Sequence, residues 1–257
     1  MKTAFVTGAA GDIGRAICRM LLADGMAVAA VDVNEERLRE FARDVADAKM
    51  LLPVHADVTR MESVAAAAEQ VRAALGDVSL LVNNAGGITQ ASLMTTEERH
   101  WLRDIDLNLN GPWRCIKALQ EQLLRCGHGV IVNVASVNGL QIFGHPGYSA
   151  AKAGLIHLTK FCAVEFGKYG VRSIAICPGS VKTRAWEERR RTHPAILEEV
   201  AAWYPSRDTC TPQDVAKLVA AAAGASMAMV NGAVITLDGG LSAGSDRLAS
   251  MFAGEKI

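Results

Sequence analysis

Tyr148 and Lys152 stand four residues apart in Tyr148-Ser149-Ala150-Ala151-Lys152. On a helix that spacing brings both side chains onto one face. An ammonium beside a phenol favours the phenolate. It lowers the tyrosine pKa from its reference of about 10 toward the range where the group can pass a proton near neutral pH. An exposed pair on a helix surface would carry the same spacing, so the rest of the chain decides between the two. Near the N-terminus a second pattern could do chemistry. Thr7-Gly8-Ala9-Ala10-Gly11-Asp12-Ile13-Gly14 follows a short apolar run and precedes an amphipathic one. Glycines let backbone approach a pyrophosphate, and a helix N-terminus offers free N–H groups to it. Tight turns also use glycine for purely steric reasons. Asp32, followed by Val33, lies 18 residues beyond Gly14. A carboxylate there can accept hydrogen bonds from an adenosine ribose and repel a 2′-phosphate; its alternative role is to cap the next helix. No Arg or Lys sits in the glycine turn or directly after Asp32, which favours NAD over NADP.

These residues need elements to hold them. Short apolar, β-branched runs at 3–7, 27–32, 50–55, 79–82, 130–134, 171–177 and 233–237 are the expected strands. Amphipathic segments at 13–23, 35–47, 63–75, 97–125, 149–169, 185–200 and 212–223 are the expected helices. Strand–helix alternation with continuously apolar strands predicts a seven-stranded parallel sheet covered on both faces, an α/β doubly wound fold of the Rossmann type. No Pro/Ser linker or repeat divides the chain, so 1–257 reads as a single domain. Ligands of such sheets bind beyond the carboxyl ends of the strands, where the strand order switches, and the residues above follow strands.

The 257 residues are half hydrophobic and carry 27 basic and 27 acidic side chains. That is enough for one large core, and the balance gives nucleic acid or an anionic membrane nothing to recognise. No apolar run has the length of a membrane span, and the N-terminus enters a strand without a signal-peptide pattern. A cytoplasmic protein is expected. The six cysteines are scattered without C-x-x-C and read as reduced core residues. No metal-ligand spacing occurs, so no metal is expected.

With the glycine turn, Asp32, Asn83-Asn84-Ala85-Gly86, Ser136 and Tyr148-x-x-x-Lys152 in this order, the chain resembles the short-chain dehydrogenase/reductase family, in its compact branch. The resemblance runs from Thr3 to Gly240. It implies Tyr148 as general acid/base, and Lys152 as the group that holds the nicotinamide ribose and depresses the Tyr148 pKa. It implies Ser136 as a donor to the substrate oxygen and Asn108, in Asn108-Leu109-Asn110-Gly111, as the support of a proton relay to the lysine. For Ser136 the alternative is a strand-end turn residue, and for Asn108 a helix-bend residue. The implied cofactor shell adds Asp57 and Val58 near the adenine, then Asn83, Ala85 and Gly86. Pro178, Gly179, Val181 and Thr183 would lie by the nicotinamide. Asn84 is expected to tie neighbouring strands together. The segment 184–210 would cover the substrate as a lid, and helices 97–125 and 149–169 would pack against a partner's copies in a homotetramer or homodimer.

One residue departs from the family pattern. Asp12 occupies the middle-glycine position, where a carboxylate facing a pyrophosphate is unfavourable. At a helix N-terminus it is expected to cap the helix and point away, with Gly11 supplying backbone freedom, so that Asp12→Gly keeps activity. The stretch 184–210 holds Trp186, Arg189, Arg190, Arg191, His193, Trp203, Tyr204 and Arg207. Such a lid can stack on a sugar ring and pair with a carboxylate, phosphate or sulfonate; a solvated amphipathic surface helix is the alternative for the arginine run. Phe143 and His145 are expected to border the pocket. Together these point to an NAD-dependent oxidoreductase acting on a polyol, sugar or sugar acid. A 3-oxoacyl thioester reductase is the enzymatic alternative, and an NAD(H)-binding redox sensor is the non-enzymatic one.

Overall fold

In the computed structural model, which describes residues 2–45 and 50–255, seven strands form one parallel sheet. They are β1 (Thr3–Thr7), β2 (Ala27–Asp32), β3 (Leu51–His55), β4 (Val78–Asn83), β5 (Val130–Val134), β6 (Arg172–Pro178) and β7 (Val234–Leu237), in the order β3-β2-β1-β4-β5-β6-β7. The strands read as unbroken apolar runs because both faces are covered. In β1, Ala4 and Val6 enter one core while Phe5 enters the other. In β5, Val130 and Val132 face the first core and Ile131 the second. The period-two alternation of a strand thus feeds two layers at once.

The first layer holds α1 (Asp12–Ala23), α2 (Glu35–Arg43) and α9 (Pro212–Ala223). The second holds α3 (Met61–Leu75), α5 (Gly111–Arg125) and α6 (Pro146–Phe166). Local chemistry sets the helix starts. Asn34 caps α2 by accepting from the Arg37 N–H at 3.0 Å. Thr211 and Asp214 form a reciprocal capping box at α9, with Pro212 in the first turn.

Three expected helices differ, and one helix is added. The helix expected over 97–125 is two helices, α4 (Glu98–Ile105) and α5, joined by a π turn over Asp106–Asn110. Pro112 lacks an N–H, so it sits in the first turn of a new helix instead of the middle of a long one. The helix expected over 185–200 is likewise α7 (Arg184–Thr192) and α8 (Ile196–Ala201), with Pro194 between them. The helix expected over 35–47 ends at Arg43, and its last two positions lie outside the described residues. A further helix, α10 (Asp246–Ala253), follows β7. It docks on the 203–207 stretch, where Asp246 pairs with Arg207 and the Arg247 guanidinium lies 5.2 Å from the Trp203 ring centroid.

β1 pairs with β2 on one side and β4 on the other. The chain therefore reverses its direction of winding at β1, and a crevice opens there beyond the carboxyl ends of the strands. Among the described residues no helix is long and apolar enough to cross a membrane.

Candidate active site

Three adjoining cavities run along that crevice. The first, of about 490 Å³, is lined by the glycine turn (Gly8, Gly11, Asp12, Ile13, Gly14), by Asp32, by Asn84-Ala85-Gly86 after β4, and by Thr183 and Arg184. Its shape depends on missing side chains. Gly8 has φ +65°, and a Cβ there would stand 2.8 Å from the Ala85 Cα; a Cβ on Gly14 would collide with the Gly8 carbonyl. Asp32 is fixed at the far wall. One carboxylate oxygen accepts from the Ala10 N–H at 2.9 Å and the other from the Asn34 N–H at 2.9 Å. The carboxylate thus ties the end of β2 to the glycine turn. Arg15 braces the turn from behind, its Nε donating to the Ala10 carbonyl at 3.1 Å. A cradle of close-approach glycines with a fixed acid at one end fits a dinucleotide.

The second cavity, of about 220 Å³, continues from Ile13, Asn84 and Gly86 to Ser136, Tyr148, Lys152, Pro178, Gly179 and Val181. Ser136 follows β5 and caps a 3₁₀ turn, its Oγ accepting from the Asn138 N–H at 3.2 Å. Tyr148 and Lys152 share one face of α6, with Nζ 5.4 Å from the phenol ring centroid. Lys152 is buried, and its Nζ donates to the Val134 carbonyl at 2.8 Å. Burial pushes the lysine pKa down to about 8. Burial also pushes the Tyr148 phenol up, against a hydrogen bond from the Ser136 side chain that lowers it. The lysine was expected to depress the phenol; instead desolvation of both groups dominates, because each loses its charged form on leaving water.

The third cavity, of about 570 Å³, shares Ser136, Tyr148, Gly179 and Val181 with the second. Phe143, His145 and Trp186 line it as well. His145 precedes α6 at φ 57°, ψ 70°, a left-handed conformation unusual for a side chain with a Cβ. Its backbone N–H donates to the Ala91 carbonyl at 2.9 Å, and its Nδ1 lies 3.2 Å from the Gln90 carbonyl. Those contacts hold the strained turn against the cavity wall.

Other expected site residues lie elsewhere. Asn108, buried in the π turn, donates to the Gly87 carbonyl at 2.8 Å and the Asp104 carbonyl at 2.9 Å, and its Oδ1 accepts from the Gly87 N–H at 3.2 Å. It clamps the loop after β4 from beneath. Asn83, expected in the cofactor shell, turns into the sheet and donates to Asn133 Oδ1 at 2.8 Å. Asn84 is the one that lines the crevice, while its Nδ2 also donates to the Thr7 carbonyl at 2.9 Å. Val33 is exposed and lines none of the three cavities. Neither do Asp57 and Val58. The Asp57 carboxylate accepts from the Thr59 N–H and hydroxyl, and Val58 is buried near Gly111.

Asp12 is not a helix cap. Gly11 holds the cap position, with the ordinary φ of −77°, and no side-chain cap bond is present. The Asp12 carboxylate reaches across to α7, accepting from the Arg184 N–H at 2.8 Å and the Arg184 Nε at 2.7 Å. The guanidinium neutralises the carboxylate, which is how an acid is accommodated in the glycine turn.

Sequence reasoning missed several lining residues. Arg37 lines the first cavity beside Asp32, five positions after it. Ile88, Asn138, Val200 and Leu241 join the third cavity from four separate segments. Asn138 could have been found from its place two residues after Ser136; its amide donates to the Gly144 carbonyl at 3.1 Å and to Ser149 Oγ at 3.2 Å. Among the described residues no cluster of three or more His, Cys, Asp or Glu is placed to hold a metal ion, and all six cysteines are free.

A family model described as enoyl-(acyl carrier protein) reductase matches residues 8–242. The 2-(R)-hydroxypropyl-CoM dehydrogenase of Xanthobacter autotrophicus is 36% identical over 248 residues, covering 94% of this chain and 99% of that one. An oxidoreductase of the short chain dehydrogenase/reductase family from Burkholderia thailandensis superposes with a TM-score of 0.93 at 39% identity, covering 99% of this chain and 98% of that one. Actinorhodin polyketide ketoreductase with NADPH superposes with a TM-score of 0.88 at 30% identity, covering 93% and 97%.

Proposed function

We propose a reaction for this chain, which belongs to the short-chain dehydrogenase/reductase family: oxidation of a secondary alcohol to a ketone with NAD as hydride acceptor, and the reverse. The observation that carries the proposal is the continuity of the three cavities, with Ser136 and Tyr148 on the wall common to the second and third. A dinucleotide held along the first two would supply or accept a hydride at that wall. Gly8, Gly14 and Asp32 would hold the adenosine and pyrophosphate half, and Ile13, Pro178, Gly179 and Val181 would flank the nicotinamide half.

At the shared wall Tyr148 moves the proton. In oxidation its oxygen takes the hydroxyl proton of the substrate as the hydride departs; in reduction it returns that proton to the carbonyl oxygen. Ser136 donates to the same substrate oxygen and stabilises the charge that develops on it. Burial opposes the phenolate, while the Ser136 side chain favours it. Asn108 acts at one remove, by fixing the Gly86–Gly87 turn that faces Lys152. The segment 184–210 acts as a lid over the third cavity.

NAD is favoured because Asp32 holds a fixed charge where a 2′-phosphate would lie; Arg37 in the same cavity works against that preference. The substrate class extends over polyols, sugars and sugar acids. A second reading, reduction of a 3-oxoacyl thioester, draws support from the description of the matching family model and from the apolar wall built by Ile88, Val200 and Leu241. The apolar residues left exposed on α4 to α6, Trp113, Phe161 and Val164 among them, support self-association as a homodimer or homotetramer; a monomeric mass by light scattering at micromolar concentration would refute it.

The test is NADH formation at pH 8 to 9 with NAD and a panel of polyols, sugars, sugar acids and simple secondary alcohols, with 3-oxoacyl thioesters and NADPH assayed in reverse. Activity abolished by Tyr148→Phe supports the assignment. Oxidation undiminished in that variant overturns it, and stoichiometric NADH binding without turnover of any substrate favours the redox sensor.

A further inference from the structure

We infer that Arg189 forms an anion-binding subsite in the substrate cavity, and that the substrate is a secondary alcohol or ketone carrying a monoanionic group, carboxylate or sulfonate, away from the reacting carbon. The inference rests on the oxidoreductase reading and narrows its substrate class.

Helix α7 distributes its charges by face. Arg184 is tied to Asp12, and Glu188 lines the nucleotide cavity. Glu187 and Arg190 pair with each other at 3.2 Å. Trp186 and Arg189, three apart, share the face that lines the substrate cavity. The Arg189 guanidinium lies 4.9 Å from the Trp186 ring centroid. Among the described residues no carboxylate pairs with it, and no Asp or Glu lines the cavity.

The rest of the lining explains what that cation is for. Much of the wall is apolar, and the Tyr204 hydroxyl is already engaged by the Ser180 N–H at 2.7 Å. The Asn138 amide is spent on Gly144 and Ser149. A neutral polyol needs a partner for each hydroxyl it desolvates, and the polar groups on this wall, Ser180, His145 and the indoles of Trp186 and Trp203 among them, are set apart by apolar residues such as Ile88, Val200 and Leu241. A molecule with one hydroxyl, an apolar body and one negative charge matches it better. The indole presets the guanidinium plane by stacking, and the planar fork then donates to two oxygens of a carboxylate or sulfonate. A single guanidinium balances a monoanion and leaves half of a phosphate dianion uncompensated.

The experiment uses matched pairs: an alkan-2-one with a terminal carboxylate and its methyl ester, and an alkan-2-one with a terminal sulfonate and its neutral sulfonamide. Each is reduced with NADH by the wild-type protein, Arg189→Gln and Arg189→Lys. In the reaction the ketone carbon gains the hydride, its oxygen gains a proton, and NADH becomes NAD. The wild type should favour at least one anion over its neutral partner by roughly 30-fold in kcat/KM. Arg189→Gln should erase that preference through KM, with kcat and the neutral substrate within about threefold, and Arg189→Lys should restore part of it. Equal losses on charged and neutral partners, or no loss at all, overturn the inference. Calorimetric binding of the same probes to the NADH complex separates the two layers of argument. Arg189-dependent anion binding without turnover keeps the subsite and sinks the oxidoreductase reading; neutral probes binding as well as both anions sinks the subsite. The carboxylate and sulfonate arms tell the two anions apart.

Discussion

The nucleotide half and the substrate half of the crevice are built on opposite plans. The nucleotide half is mostly main chain. Gly8 and Gly14 are dictated by sterics, Asp32 is locked by two backbone N–H groups, and buried strands stand behind both. The substrate half is made of side chains drawn from distant connections: Ile88 after β4, His145 before α6, Trp186 and Arg189 on α7, and Leu241 after β7. Backbone sites tolerate little change and serve one ligand. Side-chain sites can be rebuilt without touching the sheet, so the chemistry at the shared wall can stay fixed while the substrate varies.

If the comparison holds, a change on the shared wall should abolish chemistry without disturbing the nucleotide half. Tyr148→Phe removes the proposed proton carrier and little volume. Its kcat should fall by about 10³-fold, in the range of a lost general acid/base, while the NADH dissociation constant by fluorescence titration stays within about threefold. A parallel loss of NADH affinity would mean the halves are not separable there.

A change within the nucleotide half should do the reverse. Asp32→Ser removes the carboxylate at the wall of the nucleotide cavity, where an adenosine ribose would lie, and leaves Arg37 in place. The ratio of kcat/KM for NAD over NADP should drop by roughly 10- to 100-fold, as expected for one charged hydrogen bond and one relieved repulsion, with kcat on a saturating substrate nearly unchanged. An unaltered ratio would show that Asp32 serves only to fasten the glycine turn to β2.

The same division governs what the sequence made legible. Buried strands betray themselves, because burial on two faces demands continuous apolar runs; four of the seven expected strands match within a residue at each end, and β1, β2 and β5 match at both. The glycine turn and the Tyr148–Lys152 pair were readable because sterics and helix spacing fix them locally. The break at Asp106–Asn110 was not seen, although Pro112 announced it. The direction of Asp12 was misjudged, since its partner lies 172 positions away. Asn83 and Asn84 are adjacent in sequence, and only the strand pleat decides which one faces the sheet interior. The lining of the substrate cavity is a tertiary fact that no single segment carries.

Lys152 sits where the two halves meet, and its burial makes a prediction about pH. Its pKa is about 8 when folded, against 10.5 for the ordinary group. Between those values the unfolded chain holds a proton that the folded protein has released, so stability rises with pH across the window. The wild type should therefore gain on Lys152→Met as pH increases from 8 to 10.5, by roughly 3 °C or more in melting temperature. A difference independent of pH would show that the lysine keeps its proton in the fold.

The smallest expected effect probes a contact that joins the two plans directly. Asp12 belongs to the nucleotide turn and Arg184 opens the helix that carries Trp186 and Arg189. The pair is partly exposed, with side-chain accessibilities of 24% and 52%, and such pairs contribute at most about 1 kcal/mol. Asp12→Asn keeps an acceptor for the Arg184 N–H and removes the charge. It should raise NADH release and the substrate KM together, each by about three- to fivefold, with kcat and melting temperature little changed. The expectation that activity survives the loss of Asp12 is thereby sharpened, because loosening the start of α7 frees both faces of that helix at once. If NADH release alone changes, the bridge merely neutralises a charge beside the pyrophosphate. If both move together, the substrate half takes its position from the nucleotide half through this contact, and cofactor binding organises the substrate site.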